Sequence, residues 1–585
     1  MRISLTRSYY FQIPLIIGLF IICSCSDKIV DSVTIPIEEV TTTSNEIHAR
    51  IWPSSGNAFV FPEDKLKLQK TGICMSGGGT RAMVCAVGQL RALADLGLMD
   101  DVGYISCVSG GSWASVPYTY YTSGAKNDNE LLGTIIPPAK LTLSGMSKLT
   151  TGFLAGAANA DLRDALLKNH KDGVPADEIW IKGVKDSYML PFGVYDPESP
   201  RYLSYDTSTV LEIIKRNPTF SLPDFLTVRN KPGDFHRPYL VVNSSISGPY
   251  DLAPFANPEQ LVVFNYTPLG IGSAKLLNPL YVTKRNKANN NLPVGAGFIE
   301  PFAFGATAST IQRGDCVSWQ AGDGICLTLT KPAKAYTISD ASGTSSAAFV
   351  AEFTGIGVPS LKDMSPSEQY WPIPTSSSLV ADRDFMFGDG GNLENMGVIT
   401  LLQRKVKKLV VFVNTSTPLN ADYDTIAQRL PTKADMDYDV LTLFGIFSGS
   451  KTENMVGNQV FDALAAKDLM TQFVRAKSQG KSVIATTALT TVSNPWYGIL
   501  PGETIQLTWV YNEGATEYTD SLNTDIQDDI GRGDFGSFAH FPHYSTIDQN
   551  LLKLVQLTPK QINLLYQFSA WTVAQNPEKF AFLAE

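Results

Sequence analysis

Three short stretches of this chain hold residues whose types and spacing could carry out acyl transfer. In Val108-Ser109-Gly110-Gly111-Ser112-Trp113 a serine ends an apolar run and is followed by two glycines. A serine on such a strand-to-helix elbow sits in a strained, exposed turn, and small neighbours let substrate and backbone approach it closely. In Ser76-Gly77-Gly78-Gly79-Thr80-Arg81 three glycines follow another apolar run. The amides of Gly110 and of Gly77 or Gly78 could then point at one developing oxyanion, each such donor being worth roughly 3 kcal/mol of barrier. In Gly388-Asp389-Gly390-Gly391 a carboxylate occupies a glycine turn. If held within about 3 Å of the serine it could accept the hydroxyl proton directly, with no histidine.

Each stretch has a plainer reading when taken alone. The glycine loop could be flexible or could cradle a phosphate, but no Gly-Lys-Ser/Thr follows it. Ser109 could simply cap a helix, and Asp389 could stabilise a turn. The elements around them argue for a common site. Gly72 to Met75 reads as a buried parallel strand. From Arg81 the side chains Met83, Val84, Val87, Leu90 and Leu93 recur at helical spacing, with a stop at Gly97. Tyr104 to Val108 reads as the next strand. Two glycine turns on consecutive parallel strands open at the same carboxyl edge, where open α/β sheets place their sites. After Asp389 come a short helical segment and a strand, Leu409 to Val413.

Together these motifs resemble the catalytic domain of the cytosolic phospholipase A2 and fungal lysophospholipase family, within the patatin-like superfamily. The matching residues are Ser76 to Met83, Val108 to Trp113 and Asp389 to Gly391, with weaker echoes at Phe264 to Pro268 and Phe541 to Tyr544. The resemblance implies an α/β fold: a patatin-like three-layer core with a mainly parallel central sheet, an inserted cap or lid, and C-terminal helices. It also implies Ser109 as nucleophile, Asp389 as its partner in a Ser-Asp dyad, and Gly77, Gly78 and Gly110 as the oxyanion hole. Arg81 would steady the substrate phosphate or the site. The expected substrate is a phospholipid or lysophospholipid ester, with no cofactor and no metal. One position departs from the family: the elbow has glycine two residues before the serine, and this chain has Cys107.

The remainder of the chain sets the boundaries. Arg2 and Arg7 precede an apolar stretch from Tyr9 to Ile22, which reads as a signal peptide over residues 1–24. Ile22-Cys23-Ser24-Cys25 resembles a bacterial lipobox, and this implies lipidation at Cys25 and an exported, membrane-anchored protein. An ordinary signal peptide cut near Ser24 or Ser26 is the alternative. Residues 25–50 read as a tether, and 51–585 as the catalytic domain with a cap inserted roughly within 125–380. Met146 to Leu167 is a candidate cap segment. Tyr239 to Ser244, Leu261 to Asn265, Ser482 to Thr487 and Thr504 to Tyr511 read as strands; Tyr438 to Gly449, Asn458 to Lys477 and two pieces within Asn550 to Ala584 read as helices.

Composition narrows the partners. With 44% apolar and 18% charged residues the 585-residue chain is globular, and its net charge of -9 gives no overall basic surface for nucleic acid. Of seven cysteines, Cys74, Cys85 and Cys107 read as buried packing residues, and Cys316 with Cys326 could close a hairpin disulfide in an oxidising compartment. Asp525, Asp528, Asp529 and Asp534 lack calcium-loop spacing. His540 and His543 read as structural or substrate-edge groups. The rival function is a surface lipoprotein that binds lipid or glycan without chemistry, for which 23 Tyr and 8 Trp would supply stacking surface.

Overall fold

The computed structural model describes residues 45–54, 59–148, 152–248, 261–275, 295, 297–307, 324–347, 365–371, 373, 383–426, 429–446, 456–548 and 553–585. The expected signal segment, Cys25 and Cys316 lie outside them.

One sheet of thirteen strands organises the described residues. In chain order these are β1 Glu46–Pro53, β2 Thr71–Met75, β3 Tyr104–Val108, β4 Tyr239–Gly248, β5 Val262–Tyr266, β6 Ile271–Ser273, β7 Gly297–Ile299, β8 Ile325–Thr330, β9 Ser367–Tyr370, β10 Arg383–Asp389, β11 Lys408–Val413, β12 Ile484–Thr490 and β13 Thr504–Tyr511. The spatial order is β8-β1-β7-β6-β5-β4-β3-β2-β11-β13-β12, with β10 pairing β4 and β9 pairing β10 as a branch off this path. Its centre, β4-β3-β2-β11-β13, is wholly parallel, and both flanks are antiparallel. This is the α/β architecture with a mainly parallel central sheet that the motifs implied.

The helices that matter to the site are α1 Gly79–Asp95, α2 Gly110–Tyr120, α3 Ile338–Ser345, α4 Val398–Gln403, α5 Tyr438–Thr442, α6 Ala465–Ser478 and α7 Pro559–Ala574. Because successive strand residues face opposite sides, the central strands feed two apolar layers. Ile73, Ile105, Val242 and Val410 pack with α1, α2 and α7 on one face. Cys74, Tyr104, Val241 and Val411 pack with α4 and α6 on the other. Strands covered on both faces read as continuous apolar runs, which is why β2, β3 and β11 are plain in the sequence. Each large side chain fully buried there contributes on the order of 1.5–3 kcal/mol.

Two boundaries differ from the expectation. β1 begins at Glu46 and pairs with β8 from Glu46↔Thr330 to Ile51↔Ile325, so residues 46–50 of the expected tether belong to the sheet. Ile47, Ala49 and Ile51 are buried, an alternation that the polar Thr and Ser residues just upstream masked. At the C-terminus one α-helix, α7, is followed by 3-10 turns rather than by a second α-helix. The interval 125–380 also contributes six strands, β4 to β9, to this sheet and a separate two-stranded pair, Tyr202–Ser204 with Phe225–Thr227, besides the helices expected of an insertion.

Candidate active site

The meeting of the three motifs follows from strand register. β4 is ten residues long, twice the length of β3. Its first half pairs in parallel with β3, ending at Val108↔Asn243. Its second half pairs antiparallel with β10, ending at Asp389↔Ser244. β5 occupies the opposite edge of β4 across Val242 to Ile246, so β3 and β10 share one edge and run towards each other end to end. Their last residues therefore oppose adjacent positions of a third strand. The Ser244 and Ser245 hydroxyls donate to the Gly388 and Asp389 carbonyls at 2.7 and 2.9 Å, fixing that junction.

Ser109 follows directly. It adopts φ 50°, ψ −123° and is the N-cap of α2, a conformation that costs a non-glycine residue about 1–3 kcal/mol. Gly110 is obligatory: a Cβ there would lie 2.1 Å from the Gly79 carbonyl oxygen. Cys107, where the family has glycine, is not among the positive-φ residues and is fully buried. Close packing at this position therefore accommodates a thiol.

Asp389 is 2% exposed, and the Gly391 amide donates to its Oδ1 at 2.6 Å. Burial pushes the carboxyl up to about 7, and the Gly391 amide and the nearby Ser109 side chain offset only part of that. A carboxylate with that affinity for a proton is matched to taking one from a hydroxyl near neutral pH.

The glycine loop differs from the expectation in detail. The Gly77 amide donates to the Asn395 carbonyl at 3.2 Å, so it is committed elsewhere and is not an oxyanion donor. Gly78, at φ 134°, precedes α1, and Gly110 begins α2; first-turn helix amides lack intrahelical partners. Among the described residues neither of these two amides has a hydrogen-bond acceptor. Arg81 is 6% exposed, and its Nε and Nη1 donate to the Asn414 and Tyr544 carbonyls at 3.0 and 2.7 Å. It braces the glycine loop against the end of β11, which fits the expected role of steadying the site, and its Nη2 lies at the loop itself, 2.5 Å from where a Gly78 Cβ would be.

Several residues were not anticipated. Asn395 Oδ1 lies 2.2 Å from where a Gly77 Cβ would be and 2.7 Å from a Gly391 Cβ, so it is wedged between both glycine turns. Its Nδ2 donates to Asp439 Oδ2 at 2.8 Å, at the start of α5. Burial, then the neighbouring Asp437 charge, push the Asp439 carboxyl up. Asn243 donates to the Cys107 carbonyl at 3.0 Å. A polar residue inside the apolar run of β4 was the available signal for Asn243; nothing local marked Asp439. His543 approaches Glu513 at 3.7 Å and His540 approaches Asp534 at 3.6 Å, so both pair with other acids. Among the described residues no group of three His, Cys, Asp or Glu could hold a metal ion.

Comparison with known proteins bears on this geometry. No family model matches the chain. It is 34% identical to human cytosolic phospholipase A2 beta over 104 residues, and 60% identical to mouse cytosolic phospholipase A2 zeta over 38 residues. Over these stretches the chain is similar to cytosolic phospholipases A2. These matches span 18% and 6% of this chain, and only 12% and 4% of the two relatives. Human GIVD cytosolic phospholipase A2 aligns in structure over 89% of this chain and 62% of its own, at 13% identity and a TM-score of 0.42.

Proposed function

We propose that this phospholipase A2-like chain is a serine acyl hydrolase of phospholipid or lysophospholipid esters, acting through a Ser109-Asp389 dyad and an acyl-serine intermediate. The observation that carries the reading is the buried Asp389 carboxylate, which has no basic partner among the described residues and lies near the strained elbow serine. Ser109 Oγ attacks the ester carbonyl carbon while its proton passes to Asp389. The Gly78 and Gly110 amides stabilise the oxyanion. When the tetrahedral intermediate collapses, the C–O bond breaks and the alcohol leaves with the proton from Asp389. Water then attacks the acyl-serine, gives its proton to Asp389, and the acid departs as Ser109 recovers its hydrogen.

The test is labelling by a fluorophosphonate, which requires an activated serine. A methyl γ-linolenyl fluorophosphonate forms a complex with the human GIVD relative, so that reagent is the probe of choice. Wild type should be labelled, and Ser109→Ala and Asp389→Asn should not. Absence of labelling in wild type favours a non-catalytic binding protein; labelling that survives Ser109→Ala moves the nucleophile elsewhere. Release of fatty acid from a panel of phospholipids and lysophospholipids then identifies the bond cleaved.

For location we propose an exported lipoprotein anchored through Cys25, supported by the lipobox-like Ile22-Cys23-Ser24-Cys25 and by Cys326 being disulfide-bonded, as suits an oxidising compartment. Incorporation of a palmitate analogue into wild type but not Cys25→Ala is the expected outcome, and equal labelling of both defeats the anchor.

A further inference from the structure

At the elbow the chain turns out of the β3-β4 ladder, because Ser109 takes a positive φ just beyond the last paired residue, Val108. Its amide therefore loses the ladder acceptor that a continuing strand would offer. The amide is nonetheless bonded: it donates to Ser345 Oγ at 3.0 Å. Ser345 is the last residue of α3 and is fully buried. Its own proton goes to the Asn243 carbonyl at 2.5 Å. A hydroxyl has one donor, so with that proton committed to Asn243 its lone pairs face the Ser109 amide.

The partners give this hydroxyl its significance. Asn243 is the β4 residue opposite Val108, and the next residue, Ser244, is opposite Asp389. Ser345 thus ties the backbone of the serine to the strand that fixes the carboxylate. The other serines of this helical turn do something different. Ser342 Oγ lies 2.8 Å from Ser112 Oγ, and Ser346 Oγ accepts from the indoles of Trp113 and Trp180 at 3.2 Å each. Ser112 Oγ in turn donates to the Ser109 carbonyl at 2.6 Å, so Ser342 reaches the elbow through Ser112, whereas Ser346 fastens α3 to the two indoles without a bond to Ser109.

We infer that Ser345 is a positioning residue for the Ser109 nucleophile, holding the elbow backbone in its strained conformation and in register with Asp389. The inference rests on the hydrolase reading above. Without the acceptor, Ser109 relaxes and its hydroxyl leaves the line between the ester carbonyl and Asp389; misplacement by about 1 Å can lower turnover on the order of a hundredfold. Substrate binding surfaces are untouched, so the loss falls on kcat.

The experiment compares Ser345→Ala, Ser345→Thr and Ser346→Ala with wild type by steady-state hydrolysis, melting temperature and amide hydrogen exchange of the peptide containing Ser109. Ser345→Ala should lower kcat about ten- to a hundredfold with KM within about twofold, and should accelerate exchange at the elbow alone. Ser345→Thr, which keeps an acceptor oxygen, should recover most of kcat, and Ser346→Ala should stay within about threefold of wild type. A wild-type kcat in Ser345→Ala overturns the inference, as does a uniform rise in exchange across the protein with no excess at Ser109. If wild type neither hydrolyses lipid esters nor reacts with the fluorophosphonate, the hydrolase reading has failed. The exchange measurement then decides Ser345 by itself, and unchanged elbow protection overturns it.

Discussion

Asp389 and Asp128 are both 2% exposed, yet the protein treats the two carboxylates in opposite ways. Asp128 accepts from Arg237 Nη1 and Nη2 at 2.8 and 2.6 Å, from the Phe235 amide at 2.7 Å and from the Tyr121 hydroxyl at 2.8 Å. Burial alone would raise it, but the Arg237 hydrogen bonds and charge overcome this and hold it below its ordinary value. Among the described residues Asp389 accepts from the Gly391 amide and has Ser109 nearby but no guanidinium, and burial wins, leaving it near 7. Equal withdrawal from water therefore yields a structural anion in one place and a proton acceptor in the other. What differs is whether a guanidinium arrives. Arg81, the charged residue nearest in sequence to the glycine loop, bonds two backbone carbonyls and does not offset the burial of Asp389, so Asp389 keeps its appetite for a proton.

The largest expected effect breaks the pair apart by substitution. Asp389→Asn should lower kcat/KM on the order of a thousandfold or more, since removing the partner of a serine nucleophile removes its activation, while thermal stability at pH 8 holds or rises. Asp128→Asn should do the reverse. It strands the buried Arg237 guanidinium, with a loss of about 3–5 kcal/mol, and turnover per folded molecule is retained. Denaturant melts together with active-site titration by the fluorophosphonate measure both. Equal destabilisation by the two substitutions would show that Asp389 is as structural as Asp128.

A second, smaller effect sharpens the contrast through pH. With an uncharged ester, kcat/KM should fall about tenfold per unit as pH drops below about 7, because protonated Asp389 cannot accept from Ser109. Stability should carry the opposite dependence from this group. In the unfolded chain Asp389 releases its proton near its ordinary value of about 4; in the fold it does so only near 7. Between these values the folded state holds a proton that the unfolded state has lost, so the contribution of Asp389 declines as pH rises through that window and is constant above it. Asp128 has the other sign: its stabilisation is present above its ordinary value and is lost as pH falls towards the lower value of the folded state. Melting temperatures from pH 4 to 8 should show the Asp389→Asn minus wild-type difference growing with pH. A flat difference would place the Asp389 carboxyl at its ordinary value.

How much of this could be read in the sequence follows the range of the interaction. The strands covered on both faces, the α1 periodicity and the three glycine motifs are local patterns, and they stood out as such. The junction of β3 and β10 on β4 is not local: only the register Val108↔Asn243 beside Ser244↔Asp389 brings the elbow and the acid together, and residues so far apart in the chain leave no joint signature. The short flanking strands, three residues each in β6 and β7, are too brief for alternation to register. The use of individual donors was also hidden. Whether the Gly77 or the Gly78 amide is spoken for depends on the Asn395 carbonyl, and whether Arg81 faces substrate depends on carbonyls at Asn414 and Tyr544. Such choices are made by tertiary neighbours.

Cys107 offers the smallest effect and the finest test of the elbow. Its thiol is fully buried, its Sγ donates weakly to the Val241 carbonyl at 3.6 Å, and burial pushes the thiol up, so it is a neutral packing group. Since φ at this position is negative, glycine would supply a conformational freedom the elbow does not use. Cys107→Gly should therefore lose about 1–3 kcal/mol, from the emptied space and the more flexible unfolded chain, and leave kcat within about threefold. The strain that matters lies two residues later, in Ser109 itself, where Ser345 and Gly110 accommodate it. A tenfold or greater rise in kcat for Cys107→Gly would mean that the thiol holds the elbow out of alignment. Asp389 would then be facing a serine not yet placed for attack, and its contrast with Asp128 would lose its chemical meaning.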